Sequence, residues 1–301
     1  MIEMSREKLQ EPCIYDQKEK KENSIRQSDY HVHYYIDGCA KPTMTFEQIE
    51  KTAKEIGLET ISVLKHYSQH MPNGESEWIY WNTTDQESFQ KYIKEIGSYK
   101  SQHHITIYSG VETELLNSEG DINIPLEEIE KIDMITLSVH WIPKISNFGH
   151  HPDVWPNDPS HTSEKAMIKW KQAISDIGTE KIIEGMVTGY INAIKKYSKI
   201  KVLAHMEDGL LPLRRYFITF EHLGEEKLIQ LLEPLMKACA ENGVLWEITQ
   251  SPIVYESILK RANDLGVLFT PTADAHSLDI FREYILADQF IKSLGLNKGN
   301  I

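Results

Sequence analysis

Seven short apolar runs, separated by stretches of helical period, are what most restricts the folds open to this chain. The runs are YHVHYY (30–35), TISVL (60–64), ITIYSGV (105–111), MITLSV (134–139), KVLAH (201–205), VLWEI (244–248) and VLFTPT (267–272). They are mostly β-branched or aromatic and bounded by polar or glycine positions, which predicts buried strands. Helical patterns lie between them. Thr45 followed by Gln48 reads as a capping box, and Phe46, Ile49, Ala53 and Ile56 then recur on one face until Gly57 stops the helix. Comparable patterns occupy roughly 84–99, 163–177, 180–197, 226–242, 253–265 and 279–293, whereas 141–162 carries four prolines and reads as a long loop. Repeated strand–helix alternation implies parallel strands with helical crossovers. A closed or nearly closed α/β barrel is favoured over an open doubly wound sheet, because no glycine-rich phosphate loop follows the first strand.

One such barrel can use most of the 301 residues. Residues 1–28, dominated by Lys, Glu, Gln and Asp, read as a disordered extension, leaving 29–301 as one domain. Hydrophobic residues at 41% and charged residues at 26% exclude a disordered chain or a coiled coil. With 45 acidic against 32 basic residues the net charge is −13, which disfavours extended nucleic-acid binding. Cys13, Cys39 and Cys239 are far apart and form no CxxC pair, so neither a disulfide framework nor a thiolate zinc site is expected. No apolar signal core or membrane-length run occurs, so a soluble, cytoplasmic protein is expected.

The polar residues that end the apolar runs carry the chemistry. His31 and His33, at i and i+2, point to the same face of the first strand, where one metal can take both. The second run leads to His66, the third to Glu112, the fourth to His140 and the fifth to His205. The seventh leads to a second i, i+2 pair, Asp274 and His276. Six of seven strands thus bring a His, Glu or Asp to one end, which in a parallel barrel is the C-terminal face where active sites lie. Any one of these alone reads more simply as a structural histidine; the joint pattern at equivalent strand ends does not. Eight donors exceed what one zinc requires, so two or three ions sharing bridging carboxylates are expected. His103 and His104, read as closing a helix, and His70, His150, His151 and His161, read as loop residues, are assigned to solvent.

The order HxH, strand-end His, GxE, SxH, AH, DxH resembles the PHP (polymerase and histidinol phosphatase) family of metal-dependent phosphoesterases over about residues 29–280. The resemblance implies a distorted (β/α)7 barrel, TIM-like, holding two or three divalent ions (Zn, Mn or Fe). It implies that His31, His33 and Asp274 bind one ion, that Glu112 bridges, and that His66, His140, His205 and His276 complete the other positions. A metal-bound hydroxide held by Glu112, His66 and Asp274 would then be the nucleophile. Asp37-Gly38 stands where the family has an acidic residue or His after HxH, so Asp37 is a further candidate ligand. Lys65 replaces the acidic residue that usually precedes the second-strand His. The length leaves no room for a polymerase module, so a free-standing enzyme is expected.

Phosphate recognition needs cations, and Arg214 and Arg215, on the loop after the fifth strand, are the first candidates, followed by Lys65 and Lys144. Tyr34, Tyr35, Tyr67, Trp141 and Trp155 follow ligand positions and are candidate pocket walls. The expected activity is hydrolysis of a small phosphate ester: a phosphomonoester such as histidinol phosphate, a nucleotide or a cyclic phosphodiester. A metal-dependent amidohydrolase acting on a C–N or lactone bond is the alternative in the same barrel class, and a non-catalytic metal-binding scaffold is the alternative outside it.

Overall fold

A computed structural model describes residues 27–67, 86–140, 142–145, 164–207, 209–210, 213–214, 218–249 and 255–301. Each apolar run forms a strand: β1 (Ser28–His33), β2 (Thr60–Tyr67), β3 (Thr106–Glu114), β4 (Met134–Ser138), β5 (Ile200–Leu203), β6 (Leu245–Ile248) and β7 (Phe269–Pro271). All neighbouring pairs are parallel, and the strands follow one another in sequence order. The longer helices are α1 (Phe46–Glu55), α2 (Gln86–Ser98), α4 (Glu164–Ile177), α5 (Thr179–Lys196), α6 (Glu225–Asn242) and α7 (Glu256–Asp264). A single turn, α3 (Leu126–Ile129), joins β3 to β4, and the pattern at 279–293 divides into α8 (Leu278–Arg282) and α9 (Tyr284–Ser293).

The ring is nearly closed. β1 and β7 are not joined by a full ladder; they meet at one parallel bridge, Val32 to Ala275. There His33 N donates to Ala275 O at 2.9 Å and Ala275 N to His31 O at 3.2 Å. Below it the buried Asp29 carboxylate accepts from the Thr272 hydroxyl (2.6 Å), His31 N (2.9 Å) and Ala273 N (3.3 Å). Desolvation lifts the Asp29 carboxyl to about 7 despite these donors.

Most of the core lies between the outer sheet face and the helices, as a barrel requires. A separate buried cluster of Tyr30, Met134, Val202 and Leu245 draws on β1, β4, β5 and β6. Since β1 is no sheet neighbour of β4, β5 or β6, this contact crosses the barrel interior. Gly110 permits a close approach between strands, because a Cβ there would lie 2.5 Å from Leu64 Cδ2 and 2.7 Å from Ser62 Oγ.

The capping expectation holds in part: Thr45 Oγ1 accepts from Gln48 N at 3.4 Å, and Gly57 takes φ +80° beyond the helix. Residues 1–26 lie outside the described residues, while Gln27 and Ser28 belong to the barrel, Gln27 O accepting from Glu59 N at 2.9 Å. His103 and His104 sit in the loop after α2 rather than closing that helix, and His104 is exposed.

That loop is held by Glu50 of α1. Its buried carboxylate accepts from the hydroxyls of Tyr99 and Ser101 and from Gln102 N (3.0 Å) and His103 N (2.8 Å). Burial opposes the charge, but the four donors prevail and bring the Glu50 carboxyl down to about 2. A depressed folded-state value stabilises the fold above the unfolded value and is lost as pH falls from about 4.5 towards about 2. Glu50→Gln should therefore cost roughly 1.5–3 kcal/mol at neutral pH. Its deficit against wild type should shrink below about pH 4.5. Denaturant melts at pH 7 and pH 3 check this; an equal deficit at both would contradict it.

Candidate metal centre

The strands place their terminal side chains with a two-residue period, and parallel pairing sets them level. In β2 and β3, His66 lies directly beside Glu112. His31 and His33 point together into the mouth of the barrel, and both are fully buried. β5 ends at Leu203, and His205 reaches the same place because the backbone turns there at φ 50°. Asp274 similarly takes φ 47°. Left-handed backbone costs a non-glycine residue about 1 kcal/mol or more, and here it aims both side chains inward.

Glu112 is the hub. Its Oε2 lies 3.1 Å from His31 Nε2, 3.3 Å from His33 Nε2 and 3.1 Å from His66 Nδ1. Its Oε1 lies 3.4 Å from His140 Nε2 and 3.7 Å from His205 Nε2. Asp274 divides in the same way: Oδ1 is 3.3 Å from both His31 Nε2 and His33 Nε2, and Oδ2 is 3.3 Å from His205 Nε2. Two donor groups result, one around His31 and His33 and one around His140 and His205, with both carboxylates spanning them.

These separations match the edges of a metal polyhedron. Donors about 2.0–2.1 Å from a tetrahedral zinc stand roughly 3.3 Å apart. His31 Nε2 and His33 Nε2 are 3.0 Å apart. Buried Glu112 Oε1 and Asp274 Oδ1 have no hydrogen-bond donor. Such oxygens are costly unless a cation satisfies them. The residues present fit a metal cluster on this ground.

Protonation follows the same crowding. Desolvation works against charge on His31, yet the carboxylates of Glu247, Glu112 and Asp274 raise its proton affinity well above that of an ordinary histidine. Desolvation also opposes ionisation of Glu112, and His66, His31 and His140 nonetheless hold it well below the carboxylate range. Burial brings His276 down to about 4, with the neighbouring His33 acting in the same direction.

Outer carboxylates orient the rings. Glu247 Oε2 lies 2.7 Å from His31 Nδ1, while its Oε1 accepts from His205 N at 3.0 Å. Glu114 pairs with His140 Nδ1 and accepts from His140 N at 2.8 Å. Such contacts fix the tautomer, turning Nε2 inward. Sequence reading passed over both. Glu247 is the single acidic residue in the apolar run VLWEI, and Glu114 lies one strand period beyond Glu112, which was the available signal for each.

All eight expected donors (His31, His33, His66, Glu112, His140, His205, Asp274 and His276) thus converge at the mouth. Asp37 and Lys65 differ from expectation. Asp37 Oδ1 accepts from Lys65 Nζ at 3.1 Å, Oδ2 accepts from His66 N at 3.0 Å and lies 3.2 Å from His33 Nδ1. It therefore supports His33 from behind. Lys65 is fully buried with its Nζ also on His66 O at 3.1 Å, so it does not meet a substrate at the surface. Neighbouring strand positions face opposite ways, which separates Lys65 from the mouth that His66 enters.

Tyr34 and Tyr67 are buried core residues rather than pocket walls, Tyr34 stacking on Phe46 at 4.2 Å. Tyr35 is partly buried and packs edge-on against Tyr34. Arg214 sits over the Phe220 ring, its Cζ 4.5 Å from the centroid, and Lys144 is exposed. Arg215, Trp141, Trp155, His70, His150, His151 and His161 lie outside the described residues.

No family model matches the chain. It is 23% identical over 283 residues to a "Probable phosphatase" of Vibrio campbellii, covering 91% of this chain and 86% of the other. It is 29% identical over 274 residues to one from Vibrio vulnificus, covering 91% and 87%. The fold matches the crystal structure of histidinol phosphate phosphatase from Lactococcus lactis, complexed with zinc, L-histidinol and phosphate, with a TM-score of 0.55 at 18% identity over 91% of this chain and 96% of that one. The fold is accordingly a distorted (β/α)7 barrel like that of this histidinol phosphate phosphatase.

Proposed function

We propose that the chain is a metal-dependent phosphatase acting on a small phosphate ester, with His31, His33, His66, Glu112, His140, His205, Asp274 and His276 as the ligand set. The observation that carries the reading is the division of Glu112 and Asp274 between two donor groups, which suits adjacent ions. The phosphatase relatives and the zinc, histidinol and phosphate complex of the structural neighbour support the choice of a phosphomonoester. Divalent ions bound there would lower the pKa of a water to about 7 and offset charge on a leaving oxygen.

The chain's own residues do the rest. Glu112 and Asp274 bring negative charge to a site that must otherwise hold several cations close together. Glu247, Glu114 and Asp37 keep His31, His140 and His33 pointed inward, so the rings need not reorganise during turnover. Asp274 and His276 are the most exposed members and form the solvent side, where an ester can enter. Arg214, which follows His205 in the segment between β5 and α6 and lies over the Phe220 ring, is the proposed partner of the phosphate, with Arg215 beside it in sequence.

The test is metal analysis and activity on one preparation. Protein stripped with a chelator should release no phosphate. Reloading with zinc, manganese or iron should restore hydrolysis of an aryl phosphate and of histidinol phosphate, with more than one ion bound per chain. Retained activity after stripping, or cleavage of hydantoin or lactone substrates in place of phosphate esters, would overturn the proposal.

A further inference from the structure

We infer that Cys39 supplies a sulfur ligand to a metal position separate from the one framed by His31 and His33, with His66 and His276 as its nitrogen partners. This rests on reading the barrel mouth as a metal centre. The absence of a CxxC pair argues against thiolate coordination only along the sequence, and here the partners come from other strands.

Cys39 lies in the turn after β1, eight residues beyond His31, and is partly exposed. Ligating atoms of His33, Cys39, His66 and His276 all lie within 4.8 Å of one another. His33 is committed elsewhere, with Nε2 facing Glu112 and Asp274 and Nδ1 facing Asp37. His276 Nδ1 lies 2.9 Å from Asp274 O, a contact that requires an N–H there and leaves Nε2 with its lone pair. Cys39, His66 and His276 are then the set that faces a further ion.

The turn is built to hold the sulfur in place. Asp37 N donates to Tyr34 O at 2.9 Å and Ala40 N to Asp37 O at 3.0 Å, closing the backbone on either side of Cys39. Lys41 N donates to His276 O at 2.8 Å, which ties this turn to one of the proposed partners. The His33 ring stacks on both His66 and His276, at 4.3 and 4.0 Å between centroids, and so fixes their spacing. One thiolate with two imidazoles is a soft donor set, suited to zinc or cobalt over manganese or magnesium. Binding releases the thiol proton, because the thiolate is the ligand.

Cobalt(II) makes the sulfur visible. Cobalt-loaded wild type should show an intense near-ultraviolet sulfur-to-cobalt charge-transfer band beside the weaker d–d bands. Cys39→Ser should lose that band and one ion per chain, and Cys39→His should keep the ion but lack the band. Circular dichroism of each variant confirms folding. In wild type, zinc should also protect Cys39 from iodoacetamide, read by peptide mapping. If cobalt binds in wild type with d–d bands and no sulfur band, or the band survives in Cys39→Ser, the Cys39 assignment is wrong and the metal centre stands. If no cobalt binds, both readings fail.

Discussion

Replacing His33 by alanine should lower phosphate-ester turnover by more than about a hundred-fold, since loss of a group merely supporting a ligand already costs about 10–100-fold. His33 Nε2 faces Glu112 and Asp274 while Nδ1 rests on Asp37, so its removal takes a donor from the floor of the site and frees its support. The ring is fully buried, and some stability is lost with it. The stability loss must be separated from the catalytic one. Turnover of an aryl phosphate at excess metal, bound metal per chain and a melting curve should be measured together. His104→Asn is the control, because His104 is exposed, precedes β3 at the opposite end of the barrel, and has φ 62°, which asparagine tolerates. Full activity in folded His33→Ala, or an equal loss in His104→Asn, would refute this placement of the active site.

Asp37→Ala should be among the most destabilising single substitutions. It removes the carboxylate that holds Lys65 Nζ at 3.1 Å and leaves an ammonium buried at 0% exposure. Breaking a buried pair from one side costs about 3–5 kcal/mol. For a domain of this size that is a fall in melting temperature of roughly 6–20 °C. The double variant Asp37→Leu, Lys65→Met should recover much of the loss, because no charge is then stranded. Denaturant melts of chelator-treated Asp37→Leu, Lys65→Met and the double variant give the coupling directly. A loss below about 1 kcal/mol in Asp37→Ala, or simple additivity in the double variant, would show that the pair is not what holds this region.

The barrel and its candidate ligands were legible for one reason: strand period and parallel register convert sequence spacing into position. His31 with His33, and Asp274 with His276, are i, i+2 pairs, and the single donors His66 and Glu112 stand level in paired strands. What the sequence concealed follows from the same geometry. Lys65 adjoins a ligand in sequence, and that adjacency puts it on the other face, where Asp37 meets it only because the chain reverses after Tyr34. Glu247 sits alone in an apolar run, and its function depends on His31, 216 positions away. Cys39 has no cysteine nearby, and only the folded turn brings it to histidines from β2 and beyond β7. The single turn α3 is too short for periodicity to register.

The gap between β1 and β7 would give a metal bound at the mouth a mechanical role as well as a chemical one. Among the described residues the two sides of the gap touch through one bridge, the Asp29 contacts and the Lys41 N to His276 O hydrogen bond, yet His31 and His33 come from one side and Asp274 and His276 from the other. An ion held by both sides acts as a clasp on the ring, so its binding free energy adds to the stability of the whole barrel. On the proposed reading, losing such an ion and beginning to open would be coupled events, because the candidate ligands lie on both sides of the gap.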